Sequence, residues 1–592
     1  MDNIRQYILS VVQQAYNNHY KLIDGIQYIN VFSTNNCYTI KSMIGLERFL
    51  ALNNITVTHE NLFNELTSLF DKNMFEFKLN KNEICVYLSN PYTQQHIIKL
   101  FDLKNILQHT YIKSDNEVCK KKLKILVDFS SPNIAKDMHV GHLRSTIIGD
   151  SICKFYESQG HEVHRINHIG DWGLQFGMII QHLLEQVGKD EYKKANLSIS
   201  DLQIFYAQSK KRFDTDDEFK KNAYQKVVML QSGDKEITEA WEFIKEISRQ
   251  SYIQIYDKLN IQLTEVGESF YQPMVKNLVN ELQDAGILEE DNGRKVINIP
   301  GYDLPLTVIK SDGGVTYDTT DLAALKYRLV DINMDKVFYV VDNGQSLHFD
   351  LVFGVAKIMG WLKPHQEIKH IGFGVVLDQF GKKFKSRSGD TVKLIDLLDE
   401  SIEKASQVLV EHTKESDITL EANEKDKIIK HVAYSSIKYA DLSTPRTTDY
   451  KFSFDKMINF KGNTGAWQLY QYVRINAILR NAGNVHVTTA LENVNDFKIN
   501  EPEEKTVCNQ ILIFPEILDK IDNDLMFHVL CDYLLELTET FSKFHKKCRC
   551  LHYNENKELI SVDHNKLLIC IATHKIMTQC FDILGLMPLD RM

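Results

Sequence analysis

The sequence lacks the features that define several large protein classes. Its longest uninterrupted apolar run, Leu567 to Ala572, is far shorter than the roughly 18 residues of a membrane span, so no membrane partner is expected. No CxxC pair occurs among its ten cysteines. Neither a disulfide framework nor a structural zinc site is expected, and Cys548 and Cys550 alone cannot supply four ligands. A reducing, cytoplasmic compartment fits. There is no surplus of basic residues. The net charge of −10 excludes a basic footprint over the whole surface and confines any RNA contact to local patches. Lys120 to Lys124, Lys382 to Arg387 and Lys546 to Arg549 are such patches, though each taken alone reads more simply as a solvated charged face. The N-terminus carries no signal-peptide pattern. Ile4, Ile8, Val11, Val12 and Ala15 fall at helical spacing with polar residues between them, which predicts an amphipathic helix of a soluble domain.

What is present is an ordinary globular composition, 43% hydrophobic and 25% charged over 592 residues, enough for roughly three or four domains of ~100–200 residues. Residues 1–118 alternate short apolar helices and strands. LKILVDF (123–129) reads as a strand, SSPN as a turn, about 142–159 as a helix, and EVHRINHI as a second strand. This order opens a doubly wound nucleotide-binding sheet. Residues of about 185–293 read as a mostly helical insertion. Strand signals resume at KVINI, LTVIKSDGGVTY, VFYVV (337–341) and HIGFGVVL (370–377). The fold class is therefore α/β, a parallel-sheet domain over 119–392 followed by a connecting helix over 393–420 and an α-helical domain over 421–592.

Two groups of residues carry chemistry. HVGH, His139 to His142, sits at the strand-to-helix turn, where a helix N-terminus supplies backbone N–H groups and a positive dipole end for ATP phosphates. Gly141 leaves room for an adenine ring near the backbone. KKFKSRSGD (382–390) is a basic loop that can neutralise pyrophosphate charge. Taken without further context, Tyr317 and Asp321, in TYDTTDLAA, read as a helix-entry pair with an N-terminal acid.

The long string SSPNIAKDMHVGHLRST, continued by NHIGDWGLQFG, resembles the class I aminoacyl-tRNA synthetases and, within them, the arginyl-tRNA synthetases. The resemblance runs from about residue 120 to the terminal LDRM. It implies a Rossmann-type catalytic domain with helical insertion, an N-terminal domain that meets the tRNA elbow, and an anticodon-binding bundle. It implies arginine, ATP with substrate-borne Mg2+, and tRNA(Arg) as partners. It assigns Tyr317 and Asp321 to the guanidinium, and Asn133 and Gln345 to the α-amino group. It also places Asp128, which ends the first strand where relatives often carry glutamate, among the arginine-binding residues. His139, Gly141, His142, Gly344, His348 and Lys385 are implied on the ATP side, His348 alternatively on the amino acid. The basic loop resembles a degenerate KMSKS loop with Arg387 in place of the second lysine, so the phosphate role is divided among Lys136, Lys385 and Arg387. His168 and Asp171 would line the acceptor-end path, with Trp172 beside them. YADLSTPRTTDYKFSFDKM and GNTGAWQLYQYVRINAILR resemble the anticodon-binding bundle, where Trp467, Tyr470, Tyr472 and Arg474 could stack on unpaired bases. Asn90 and Tyr92 are the corresponding candidates in the N-terminal domain. A small-molecule adenylyltransferase sharing the histidine turn, a silent tRNA-binding paralogue and a cysteinyl synthetase are the competing readings.

Overall fold

In the computed structural model, LKILVDF forms the central strand β1 (Lys124–Asp128) of a five-stranded parallel sheet. The structure describes residues 4–20, 29–33, 37–42, 59–71, 73–80, 83–102, 122–189, 191–195, 197–378, 380–382, 392–413 and 421–592. The other strands of the sheet are β2 (Glu162–Asn167), β3 (Thr264–Glu265), β4 (Lys336–Tyr339) and β5 (Glu367–His370). Their order is β5-β4-β1-β2-β3, every neighbour parallel. Strands covered on both faces need apolar residues at both parities, and Ile125, Leu126 and Val127 are all buried. On one face Tyr156 of α1 (Val140–Ser158) stacks on Phe338 at 5.8 Å. On the other, Leu126, Ile166, Val337 and Tyr339 share a core with α2 (Glu268–Asp284), α3 (Tyr317–Lys326) and α4 (Ser346–Ile358). The strand order reverses between β1 and β4, which makes their carboxyl ends the expected ligand crevice.

The chain divides into two compact units. One comprises Lys121–Ala422 with Thr444–Ile458; the other comprises Met1–Lys120, Asn423–Ser443 and Asn459–Met592. This partition differs from the boundaries expected at 393 and 421. Residues 444–458, read from the sequence as part of the C-terminal bundle, pack in the sheet-containing unit. Tyr450–Lys451 pairs with Val376–Leu377 as a parallel ladder, and the buried Arg144 of α1 donates to the carbonyls of Gly374 and Thr448. The helical excursion is also shorter than 185–293. Its helices Ile199–Thr215, Asp217–Gln231 and Lys235–Lys258 give way at β3, and α2 belongs to the sheet's own core. The single strand expected over 370–377 is two pieces, β5 and Val376–Leu377.

In the other unit, a four-stranded antiparallel sheet (Ile29–Ser33, Tyr38–Ser42, Glu83–Leu88 and Phe75–Asn80, in that order) lies with the helix Ile4–Tyr20, whose Ile4, Ile8, Val11 and Val12 are buried as their spacing predicts. The N-terminal segment is bonded into the C-terminal helices. The Tyr38 hydroxyl donates to Glu516 at 2.7 Å in the interior, Thr93 to Asn509 at 3.1 Å, and Gln94 to the Phe497 carbonyl. The C-terminal bundle carries one hairpin, Leu551–Tyr553 with Leu559–Val562. Its last helix, His564–Leu584, is long and apolar enough to cross a membrane by composition, but 72% of that stretch is buried inside the unit against the helix Gly465–Glu492.

Candidate active site

The loop after β1 departs from ordinary backbone conformation. Ser130, Ser131 and Ala135 hold φ of 72°, 44° and 60°, a left-handed region that side chains other than glycine enter at a cost of about 1–3 kcal/mol each. Side chains brace it from all sides. The Ser131 amide donates to Asn167 Oδ1, the Ala135 amide to Ser248, and Tyr252 donates to the Asn133 carbonyl at 2.6 Å. Asn133 itself is exposed and pairs with Gly170. A Cβ on Gly170 would fall 2.2 Å from Asn133 Oδ1, so the glycine of NHIGDWG leaves room for that side-chain amide.

The loop ends in α1, whose cap is made by two imidazoles. His139 Nδ1 accepts from the Gly141 amide at 3.1 Å, and His142 Nδ1 accepts from the His139 amide at 3.0 Å. Together they form a reciprocal capping box with histidine where serine and glutamate are usual. A neutral ring that accepts at Nδ1 carries its proton on Nε2, so the network sets both tautomers. Burial, reinforced by the neighbouring His139, pulls His142 down to about 3, and burial lowers His139 as well. Both rings are therefore neutral donors at neutral pH, with centroids 4.1 Å apart at the positive end of a 19-residue helix. Gly141 also serves the cap itself. An added Cβ would meet the His139 ring at 2.8 Å, so the glycine makes room for the cap.

Lys136 is exposed, its ammonium 5.1 Å from the Tyr206 ring centroid. Lys385 and Arg387 lie outside the described residues. Lys393 and Leu394, farther along the chain, are tied to the histidine turn: Lys393 forms a β-bridge with His139, Leu394 donates to the Met138 carbonyl, and the Lys393 ammonium lies 2.8 Å from Asp137.

The second half of the site is a set of charges at the ends of β1 and β4. Asp128 is buried, and its oxygens are taken by Arg328 at 2.7 Å and by the Ser131 hydroxyl at 2.8 Å. Arg328 is wholly buried in a π-helical turn, over the Tyr339 ring and beside His168 at 3.2 Å. Asp128 is thus the counter-ion of Arg328 rather than an open ligand for substrate. His348 sits between two carboxylates, Nδ1 on Asp318 at 2.9 Å and Nε2 on Asp321 at 2.7 Å. Burial lowers its pKa, but the two bonded carboxylates outweigh burial and raise it to about 9, so it is an imidazolium. Tyr317 is largely exposed, its ring 5.2 Å from that of His348. Glu268, at the start of α2, is pushed up to about 8 by burial and by the Asp321 and Asp171 carboxylates. Gly344 and Gln345 form a short exposed turn between β4 and α4, closed by the Gly344 amide on Asp342.

Asp171 is fully buried. It accepts from the Ser269 amide and hydroxyl and lies 3.2 Å from Lys245, so it is a structural anchor of the NHIGDWG turn. Trp172 is partly exposed and meets Trp241 edge to face. His168 is buried, stacked on Tyr271.

The order of the parallel strands, the paired imidazoles on α1 and the acidic cluster of α3 decide which chains this one should resemble. A family model described as tRNA synthetases class I (R), catalytic domain, matches residues 102–454, and a DALR anticodon binding domain matches 468–592. The chain belongs to the class I arginyl-tRNA synthetases. It is 49% identical over 472 residues to the cytoplasmic arginine–tRNA ligase of Bos taurus, covering 79% of this chain and 71% of that one. It is 44% identical over 559 residues to that of Mus musculus, covering 94% and 83%. Among solved structures, the Plasmodium falciparum arginyl-tRNA synthetase superposes with a TM-score of 0.83 at 32% identity over 100% of both chains. The Thermus thermophilus enzyme shares the fold, with a TM-score of 0.74 at 18% identity.

On the helix Gly465–Glu492, which runs into the matched anticodon domain, Trp467, Tyr470 and Arg474 share one partly exposed face, the Arg474 guanidinium 5.8 Å from the Tyr470 ring. Tyr472 points the other way, buried between His574 and Phe581. In the N-terminal segment Asn90 is exposed, but Tyr92 is a core residue packed on Phe75 and His96. Glu268, Asp318 and Arg328 were not singled out from the sequence. Asp318 lies beside Tyr317 in TYDTTD, where an acid in a helix's first turn needs no ligand to explain it.

Proposed function

We propose that this chain is a cytoplasmic arginine–tRNA ligase that activates arginine with ATP and esterifies it to tRNA(Arg). The arginine carboxylate attacks the α-phosphate, giving arginyl-adenylate and pyrophosphate. The 2′-hydroxyl of the terminal adenosine then attacks the adenylate. The observation that carries this reading is the pair of neutral imidazoles capping α1, each with its Nε2–H available, in the same compact unit as an acidic cluster of stated chemistry. Donors that are already oriented stabilise charge on phosphate oxygens without reorganising. Neutral rings also avoid a second buried positive charge before ATP arrives.

His139 and His142 bind the phosphates, with Lys136, Lys385 and Arg387 as the cations that meet pyrophosphate. Gly141 and Gly344 border the nucleotide. Mg2+ enters with ATP, held mainly by phosphate oxygens and water. Asn133 and Gln345, both exposed at strand ends, bind the α-amino group. Asp321 and Tyr317 receive the guanidinium, with Glu268 beside them. Trp467, Tyr470, Arg474 and Asn90 contact tRNA. The relatives are named cytoplasmic, in keeping with nine described cysteines that are all free thiols. The test is aminoacylation of total tRNA with each of the twenty amino acids, together with arginine-dependent pyrophosphate exchange with and without tRNA. Charging by arginine alone is expected. Exchange with another amino acid, or tight tRNA binding without charging, would overturn the reading.

A further inference from the structure

His348 was open to two roles, contact with the nucleotide ribose or with the amino acid. Both of its ring nitrogens are already engaged, Nδ1 by Asp318 and Nε2 by Asp321 Oδ2. The imidazole side chain is 11% exposed, whereas Asp321 is 26% exposed. The ring is thus the inner member of the pair and the Asp321 carboxylate the outer one. An exposed aspartate would rotate about its terminal torsion and present either oxygen. Here one oxygen is held from behind and the other is left for a ligand.

We infer that His348 is a positioning residue for arginine recognition: anchored by Asp318, it fixes Asp321 so that a single oriented oxygen, backed by one uncompensated negative charge, meets the guanidinium. The charge argument is independent of the orientation. Asp318, Asp321 and the His348 imidazolium together leave one net negative charge, while Asp128 and Arg328 cancel. One guanidinium completes the balance. Without His348 the cluster would hold two mutually repelling carboxylates and would accept cations less selectively. The groups that face His348 are Asp318, Asp321 and Tyr317 from α3; Glu268 from α2 acts on it through Asp321. The inference rests on the reading of Asp321 as the guanidinium acceptor.

The test uses the full-length enzyme with tRNA(Arg), measuring KM for arginine and for ATP separately, in wild type, Asp318→Asn, His348→Gln, the double variant and Asp321→Ala. Asp318→Asn and His348→Gln are each expected to raise KM for arginine about tenfold, the scale of one oriented charge-assisted bond, with KM for ATP moving less than about twofold. Because Asp318 acts through His348, the double variant should be no worse than His348→Gln alone. A rise in KM for ATP instead would assign His348 to the ribose and overturn the inference. So would equal rises in both constants, or effects that multiply in the double variant. Asp321→Ala separates the two levels. If it destroys arginine selectivity while Asp318→Asn and His348→Gln do nothing, only the positioning role fails. If Asp321→Ala itself leaves arginine binding intact, the assignment of the pocket fails. Should His348→Gln fold poorly, Asp318→Asn alone still decides, because its KM split is read on folded enzyme.

Discussion

The two halves of the candidate site are built by different means. The histidine turn is local. Four consecutive residues, His139 to His142, make the cap, set the tautomers and define the donors, and the hydrogen bonds span two or three residues. The charged half is assembled from Asp128, Glu268, Asp318, Asp321, Arg328 and His348, drawn from the end of β1, from α2, from α3 and the π-turn after it, and from α4. The first half is neutral and relies on direction. The second is a cluster of charges balanced to within one unit. A local turn can be built neutral because its donors need only point at incoming charge. A pocket that distinguishes one cationic side chain from another must hold charge of its own, and buried charge must be compensated by partners from elsewhere in the chain.

The sharpest way to test that contrast is at Asp321. Replacing it with alanine should lower the arginine-over-lysine ratio of kcat/KM by about 10³ or more, since a site built to pair with a substrate group discriminates by leaving its own groups unpaired otherwise. Unchanged discrimination would remove the charged half of the comparison. Next in size is Arg328→Met, which leaves Asp128 buried without its counter-ion. It should cost about 3–5 kcal/mol in urea unfolding, and Asp128→Leu combined with it should recover much of that. On the neutral half, His142→Ala should lower kcat about 10²-fold while leaving KM for arginine unchanged, with about 1 kcal/mol lost from the helix cap. Equal damage to the arginine constant would mean that the two halves are not separable.

The smallest effect is in pH dependence, and it has opposite signs in the two halves. His142 is folded with a pKa of about 3, below its ordinary 6.5, so the stability it contributes is present above pH 6.5 and is lost as pH falls toward 3. His348 is folded with a pKa of about 9, above its ordinary 6.5, so its contribution is complete below pH 6.5 and is lost as pH rises to 9. Glu268, raised to about 8 from 4.5, also loses stability as pH rises across that interval. Denaturant unfolding across pH 5–9 should show a plateau up to about pH 6.5, where His142 and Glu268 offset each other, and a fall above it, which His348→Gln should make shallower while the Glu268 part remains.

The local half was legible because its physics is local. A histidine pair around a glycine after a strand and a turn specifies donors, dipole and helix start without reference to the rest of the chain. What the sequence did not show there is that Gly141 also makes room for the His139 ring. The distributed half was legible only in part. Asp321 and Tyr317 stood out through the resemblance, but Asp128 was read as a substrate ligand because nothing in the sequence marks Arg328, two hundred residues away, as its partner. Tyr92 and Tyr472 are likewise aromatic residues whose burial depends on neighbours from other segments.

By itself the sequence determined the strand–turn–helix–strand opening of the sheet, the histidine turn at the helix start and the family, because periodicity, turn chemistry and a long motif are all properties of neighbouring residues. Only the tertiary structure decided which carboxylates are open and which are spent on internal cations. It also placed residues 444–458 in the sheet-containing unit. The reason is that burial and charge pairing are set by what the folded chain brings together, and spacing along the chain does not encode those distances.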